Sequence, residues 1–196
     1  MTGAPRIQKL VPEALDPEQR ALYDAIAGGR RAQGSQVFRL VDADGCLEGP
    51  FNAFLLQPRL GSALQALGAA VRYETGLDDR CREIAILVVA ASWRSDFEWY
   101  AHRAVGLAAG LTEAEVAAIA LGRYDDFDPR DGTVARTVAA LVERSDLTAD
   151  EYRAAVAEVG EDGVFELLTL VGYYATLALQ LRVFRVGAPD GDGLSA

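Results

Sequence analysis

The sequence predicts an all-α protein, a single-domain bundle of eight or nine helices, and three observations support this fold class. Apolar residues recur every three or four positions, for example at Leu60 and Leu64. The S/T-x-x-E pattern of a helix capping box occurs three times, beginning at Ser95, Thr112 and Thr148. No run of alternating, β-branched residues has the length and regularity of a β-strand.

Length and composition indicate an ordinary soluble protein. The 196 residues suffice for one well-buried domain, or at most two small ones, and 51% of them are hydrophobic and 24% charged. The formal net charge of −10 repels a phosphate backbone, so we expect no nucleic-acid partner.

The cysteines and the apolar segments bear on the compartment. Cys46 and Cys81 form no C-x-x-C motif, and the N-terminus lacks the apolar core of a signal peptide. The longest uncharged apolar run, Leu167 to Leu179, has 13 residues, which is too short to span a bilayer. We therefore expect a cytoplasmic protein that does not bind membranes.

Prolines and glycines divide the chain into three parts. Residues 1–15 form an extended arm with Pro5 and Pro12, residues 16–186 form the helical domain, and the Gly/Asp-rich residues 187–196 are expected to be disordered. Residues 30–48 are predicted to form a long loop. Caps and breakers place the helices at about 17–27, 53–57, 58–75, 78–93, 96–109, 113–121, 133–144, 149–159 and 162–186.

The stretch from Glu83 to His102 carries the best candidates for a functional site. An apolar helix containing Glu83 leads into Ser95, which begins a capping box with Glu98. Glu98 and His102 are four residues apart, so they share one face of the second helix. If the two helices fold back on each other, Glu83 reaches the same pocket.

Each of these residues also has a structural interpretation. His102, the only histidine, suits a general acid/base because the ordinary pKa of imidazole lies near neutrality, but it also suits a structural hydrogen bond to Glu83. Glu98 and Ser95 are explained by the capping box alone, and Ser95 lacks the G-x-S-x-G context of a nucleophile. Cys81 is predicted to be an inert helix residue.

A metal site is the alternative that Glu83, Glu98 and His102 leave open. Together they could make a metal-ligand set of two carboxylates and one imidazole. One histidine per chain is sparse for iron or zinc unless subunits share a site, so we expect no metal and no other cofactor.

Several motifs give the chain its resemblance to carboxymuconolactone decarboxylase-like proteins, which share a superfamily with alkylhydroperoxidase D (AhpD). The resemblance covers about residues 45–122, and residues 170–174 fit the family's C-terminal helix. It implies an AhpD-like all-α fold and a homo-oligomer, a dimer, trimer or hexamer. The motifs are Gly49-Pro50-Phe51-Asn52, the R-x-x-E of Arg80 and Glu83, and Phe97-Glu98-Trp99-x-x-His102 followed by Ala109-Gly110-Leu111-Thr112.

The chain departs from the peroxidase branch of this superfamily at the redox cysteines. The motif that the resemblance implies for that branch is a glutamate followed by C-x-x-C-x-x-x-H. Aligned with this chain, it places the glutamate at Glu83, the histidine at His102 and the two cysteines at Ser95 and Glu98. Serine and glutamate cannot supply the attacking and resolving thiols that a dithiol peroxidase needs. Peroxidase activity is therefore the least favoured function.

The resemblance implies cofactor-independent acid/base chemistry on a small carboxylate or lactone. His102 would move the proton, Glu83 would orient the imidazole, and Glu98 would stabilise charge or act as a second acid/base. An arginine would bind a substrate carboxylate. A non-catalytic small-molecule binding or scaffold protein is the alternative. The predicted substrate contacts are Arg80, Arg94, Trp99 and Phe51, with Arg82 and Arg103 as further arginine candidates.

Overall fold

The computed structural model describes residues 4–33, 39–188 and 194, and these residues form an all-α protein, as predicted. No β-strand occurs in these ranges; one isolated antiparallel bridge joins Val41 and Leu47. Short 3₁₀ turns lie at Pro12–Ala14 and Arg30–Ala32. The α-helices are α1 Pro17–Ala27, α2 Pro50–Phe54, α3 Pro58–Tyr73, α4 Asp79–Trp93, α5 Asp96–Ala108, α6 Glu113–Ala120, α7 Pro129–Arg144 and α8 Ala149–Phe184.

Helix α4 is the centre of the bundle. Every residue from Cys81 to Ala90 is buried, because α5, α6, α7 and α8 all pack against this helix. The all-round burial explains why the sequence of α4 is apolar on every face, a pattern typical of a core helix. It also means that Arg82 and Glu83, which lie on α4, enter the interior as charged residues and need partners there.

Local sequence signals set most helix ends. The capping boxes at Thr112 and Thr148 form as predicted, with the threonine side chain accepting from the backbone N–H three residues on. Helix α7 begins at Pro129, earlier than the predicted residue 133, because Asp128-Pro129 repeats the cap-proline signal that starts α1. Helix α8 is interrupted at Gly160, whose φ of 74° and ψ of 171° are non-helical. This break matches the two predicted helices, 149–159 and 162–186.

Helix α8 has the length and composition of a membrane-crossing helix, but these two properties alone do not distinguish it from the core helix of a globular protein. In its most apolar stretch of 18 residues, 44% of the residues are buried inside the bundle. The buried side of the helix includes Leu167, Leu170 and Leu177. The structure thus uses at least part of this apolar surface for internal packing.

The N-terminal arm is docked on the bundle. Lys9 forms ion pairs with Asp42 at 2.7 Å and Glu48 at 2.8 Å. The side-chain amide of the buried Asn52 binds the arm's backbone on both sides of Lys9, and Arg6 hydrogen-bonds the C-terminal end of α8. The arm therefore packs against the segment of residues 48–52. Residues 1–3, 34–38, 189–193 and 195–196 lie outside the described residues, and the predicted disorder of residues 187–196 falls largely on them.

Candidate functional site

Glu83 and His102 meet at the contact between α4 and α5. The two helices fold back on each other around Arg94, which adopts the left-handed conformation, and Ser95, whose backbone N–H bonds the carbonyl oxygen of Ala90. This turn brings His102 Nδ1 to 2.7 Å from Glu83 Oε2, a hydrogen bond. The fold-back that the sequence predicted for these helices is thus present.

Glu98 lies on the other side of the imidazole ring. Its Oε2 is 3.5 Å from His102 Nε2, across the four-residue spacing on α5. The three side chains are almost completely buried, with 2% of Glu83, 4% of Glu98 and 6% of His102 exposed. Because Glu83 occupies Nδ1, only Nε2 is placed to exchange a proton with a molecule next to Glu98.

Arg72 adds a positive charge to this cluster. It lies in the last turn of α3, and its Nη1 is 3.7 Å from Glu83 Oε1. Burial alone would lower the pKa of Arg72, but the neighbouring Tyr174 and Glu83 raise it above its ordinary value. The guanidinium therefore stays charged and partly balances the two carboxylates. Sequence reasoning missed Arg72, because only the packing of α3 against the bundle brings it here.

Two tyrosines of α8 complete the wall. The ring of Tyr174 lies edge-on to the His102 imidazole, with 5.1 Å between centroids, and Tyr173 packs edge-on against Tyr174 at 5.2 Å. The small cavity beside these rings has a volume of about 20 Å³, room for one water molecule. The residues lining it are Pro50, Phe51, Arg72, Phe97, Glu98, Ala101, His102, Tyr173, Tyr174 and Leu177.

Comparison with known proteins points to one family. The sequence profile of the carboxymuconolactone decarboxylase family matches residues 58–143, which contain Arg72, Glu83, Glu98 and His102. The chain resembles this family over these residues, which make up less than half of its length. None of the curated proteins matches the sequence.

Solved structures show that this carboxymuconolactone decarboxylase-like chain has the AhpD-like fold. An uncharacterized peroxidase-related protein from Ralstonia eutropha JMP134, described as an AhpD core, is 14% identical with a TM-score of 0.75, over 95% of this chain and 93% of that one. A similar protein from Silicibacter sp. TM1040 is 11% identical with a TM-score of 0.74, over 96% and 93%. A cysteine-to-alanine variant of the debrominase Bmp8, bound to 2,3,4-tribromopyrrole, is 8% identical with a TM-score of 0.71, over 96% of both chains.

Three of the predicted substrate contacts of this carboxymuconolactone decarboxylase-like protein do not line the cavity. The Nε, Nη1 and Nη2 atoms of Arg80 donate to Asp131, the backbone and Glu115. Arg94 is exposed at the end of α4, and Trp99 is buried in the main hydrophobic core. These predictions are corrected: packing and ion pairing hold all three elsewhere. Of the predicted contacts, Phe51 does line the cavity.

Ser95 also differs from its predicted role. Helix α5 begins directly after Ser95, as predicted, but the side chain makes no capping hydrogen bond and its Oγ is buried without a partner among the described residues. The backbone N–H that Glu98 would cap is already bonded to Ala90, and the Glu98 carboxylate lies beside His102 instead. Glu98 is thus a residue of the site and not a capping residue.

The Gly49-Pro50-Phe51-Asn52 motif places a backbone turn against Phe97. Gly49 has a φ of 60°, and a Cβ atom added there would lie 2.2 Å from the Phe97 ring. Only glycine fits both this conformation and this close approach. The motif thereby positions Pro50 and Phe51 in the cavity wall.

Neither cysteine takes part in the cavity. Cys81 is buried on α4, and burial raises its pKa to about 12, so its thiol is protonated at neutral pH. Burial also raises the pKa of Cys46. Among the residues that the structure describes, no three His, Cys, Asp or Glu side chains have the arrangement of metal ligands. The two carboxylates here bind opposite nitrogens of His102, whereas metal ligands converge on one point.

Proposed function

We propose that this protein is an enzyme that performs cofactor-independent acid/base chemistry, a decarboxylation, isomerisation or related lyase reaction, on a small carboxylate or lactone. The observation that carries the proposal is the order Glu83–His102–Glu98, in which Glu83 hydrogen-bonds His102 Nδ1 at 2.7 Å, Glu98 lies 3.5 Å from Nε2, and both His102 and Glu98 line a small, largely apolar cavity. A histidine oriented by a carboxylate on one nitrogen is a common arrangement for moving a proton on the other.

In the proposed reaction, His102 Nδ1–H stays hydrogen-bonded to Glu83, and Nε2 carries the transferred proton. In a decarboxylation, the bond to the substrate carboxylate breaks, CO₂ leaves, and the electron pair moves onto the adjacent carbonyl. The resulting enolate then takes a proton from Nε2. In an isomerisation, Nε2 removes a proton from one carbon and returns it to another. Neither reaction needs an oxidant or a reductant.

The wall of the cavity limits the substrate to a small molecule. Arg72 supplies a guanidinium suited to a carboxylate, while Phe51, Phe97 and the two tyrosines supply flat apolar surfaces. The tribromopyrrole bound by a debrominase of the same fold supports a planar ring as ligand. Because the cavity holds only about 20 Å³, we expect an aromatic side chain to move when the substrate enters.

The decisive test is His102→Gln in a purified enzyme. Lactones, β-keto acids and unsaturated carboxylic acids are first screened for CO₂ release or isomerisation. We expect His102→Gln to lower kcat by about a hundredfold to ten-thousandfold, with an unchanged circular dichroism spectrum. Arg103→Gln is the matched control, since Arg103 follows in sequence but pairs with Glu113 at the surface. Turnover by His102→Gln at the wild-type rate would refute the acid/base assignment.

Two alternative functions each have a distinct signature. A non-catalytic binding or scaffold protein would keep the cavity, and would be preferred if ligands bind but no member of the screen reacts. Peroxidase activity is disfavoured, because the family's cysteine positions hold Ser95 and Glu98 and the thiol of Cys81 is protonated. Peroxide reduction with a dithiol donor that is abolished by Cys81→Ser would restore it.

We also propose that the chain forms a homo-oligomer through α8. Four large apolar side chains on the part of this helix that follows Gly160 are exposed, from 46% at Val183 to 70% at Phe165, with Leu168 and Leu179 between them. A contiguous exposed apolar face is typical of a subunit interface. Light scattering should give a multiple of 21.0 kDa for the wild type and a smaller assembly for Phe165→Glu. A wild-type mass of 21 kDa at micromolar concentration would contradict the proposal.

A further inference from the structure

A second, larger cavity lies beside the same charged cluster. It is a cleft of about 460 Å³, large enough for a small organic molecule. Arg72 lines both cavities, Glu83 lines only the cleft, and His102 lines only the small cavity. The Arg72–Glu83 pair therefore separates the two spaces.

The wall of the cleft is cationic in an acidic protein. Three arginines, Arg30, Arg72 and Arg82, line it together with two carboxylates, Asp79 and Glu83. The lining residues thus carry one net positive charge, whereas the whole chain has a formal net charge of −10. An anion in the cleft would balance this charge.

The arginines retain unused hydrogen-bonding capacity. Arg82 is held in place by Asp79 and a backbone carbonyl, but its Nε is buried without a hydrogen-bond partner among the described residues. Arg30 stacks its guanidinium on the Tyr73 ring, 4.4 Å from the centroid, and forms no ion pair within the described part of the chain. A buried donor without a partner is costly, and a ligand oxygen that bound Nε after a shift of the Arg82 side chain would relieve that cost.

We propose that this cleft binds an organic carboxylate, with Arg30 and Arg82 as its cationic contacts. A carboxylate has the planar geometry that a guanidinium recognises through two parallel hydrogen bonds. The cleft also offers an apolar face for the rest of the molecule, formed by Val105, Ala108 and Ala109 of α5. This second site is distinct from the cavity at His102 and does not depend on the proposed reaction.

The position of Arg72 couples the two spaces. Arg72 is 3.7 Å from Glu83, and Glu83 holds His102 Nδ1. A carboxylate bound beside Arg72 competes with Glu83 for the same guanidinium, so the surroundings of His102 change when the cleft fills. Because His102 is the only histidine in the chain, its NMR signals report this change without ambiguity.

The test is a titration of the untagged, ¹⁵N-histidine-labelled full chain with sodium benzoate at constant ionic strength. We expect a saturable shift of the His102 signals, weaker binding of acetate because it lacks the apolar ring, and no saturation with sodium chloride. Inorganic phosphate distinguishes a general oxyanion site from a carboxylate site. Phosphate binding as tight as benzoate binding would overturn the carboxylate assignment.

Two variants locate the binding. Arg30→Gln should weaken benzoate about tenfold, since one charge-assisted contact is lost, and Ala108→Trp should abolish binding by filling the cleft. Both residues are exposed, so these variants should fold. Arg103→Gln is the control and should bind benzoate like the wild type. Unchanged affinity in Arg30→Gln and Ala108→Trp, or a shift that rises linearly with benzoate, would overturn the proposal.

Discussion

Arg72 and Arg80 both approach carboxylates beside the same buried helix, but they bind them in opposite ways. Arg80 donates from Nε to Asp131 and from Nη1 to the Gly110 carbonyl, each at 2.6 Å, and from Nη2 to Glu115. Arg72 has one carboxylate neighbour, Glu83, at the longer distance of 3.7 Å. The difference indicates that an arginine whose donors all bind carboxylates and a backbone carbonyl belongs to the scaffold. Arg72, which pairs with one carboxylate at 3.7 Å and hydrogen-bonds Tyr174, lines a cavity where a ligand can reach it.

The largest effect expected from this comparison is on catalysis. Arg72→Gln should lower kcat/KM by about tenfold or more on any carboxylate substrate found, because the charge that faces both Glu83 and the cavity is lost. Steady-state kinetics measure the change. A variant with wild-type kcat/KM would show that Arg72 balances charge without contacting substrate.

Arg80→Gln should show the reverse pattern. We expect a loss of about 1.5–3 kcal/mol in unfolding free energy, because Asp131, which is only 6% exposed, loses its charged partner. Urea denaturation measures this loss. Arg136→Gln, which removes an ion pair to the fully exposed Asp125, should stay within about 0.5 kcal/mol of the wild type. Equal losses in the two variants would contradict a scaffold role for Arg80.

The pH dependence of stability sharpens the same contrast. Burial alone would raise the pKa of Glu115, but hydrogen bonds from Thr112 and Arg80 lower it below its ordinary value. A lowered folded-state pKa stabilises the protein above the unfolded value of about 4.3, and this stabilisation is lost as the pH falls through the folded-state pKa. Urea midpoints between pH 6 and pH 3 should fall less steeply for Arg80→Gln than for the wild type. Parallel curves would disprove the assignment.

The smallest expected effect concerns two helix starts that look alike in the sequence. The Thr148 side chain caps α8, so Thr148→Ala should lower the free energy of unfolding by about 0.5–2 kcal/mol. The Ser95 side chain makes no capping hydrogen bond. We expect Ser95→Ala to change the unfolding free energy by less than about 0.5 kcal/mol. A loss in Ser95→Ala as large as that in Thr148→Ala would show that the capping bond forms in solution.

The sequence predicts the helices well, because their ends depend on neighbouring residues. The capping boxes at Thr112 and Thr148 form, and the predicted break between 159 and 162 appears at Gly160. The same local pattern misleads at Ser95, because α4 ends two residues earlier, at Trp93, and its Ala90 carbonyl already accepts from the backbone N–H of that serine. A capping motif is thus reliable only where no preceding helix competes for the same atoms.

The site is only partly predictable for the same physical reason. Glu83, Glu98 and His102 lie on two consecutive helices, so their meeting follows from helical spacing and one tight turn. Arg72 and Tyr174 come from α3 and α8, and nothing local in the sequence indicates that these helices converge there. The sequence predicts Arg80 as a substrate contact from its residue type and its proximity to Glu83. Neither property reveals its ion-pair partners, Asp131 and Glu115.

The ion pairs of Lys9 have a consequence for chemical labelling. Lys9 is the only lysine in the chain, so its ε-amine is the only side-chain amine. Burial alone would lower the pKa of Lys9, but the hydrogen bonds to Asp42 and Glu48 raise it, so the docked amine reacts more slowly than a free lysine. An activated ester therefore reacts at this position chiefly when the arm releases both carboxylates. The rate of acylation at Lys9 Nζ, measured by mass spectrometry, therefore reports how often the arm undocks.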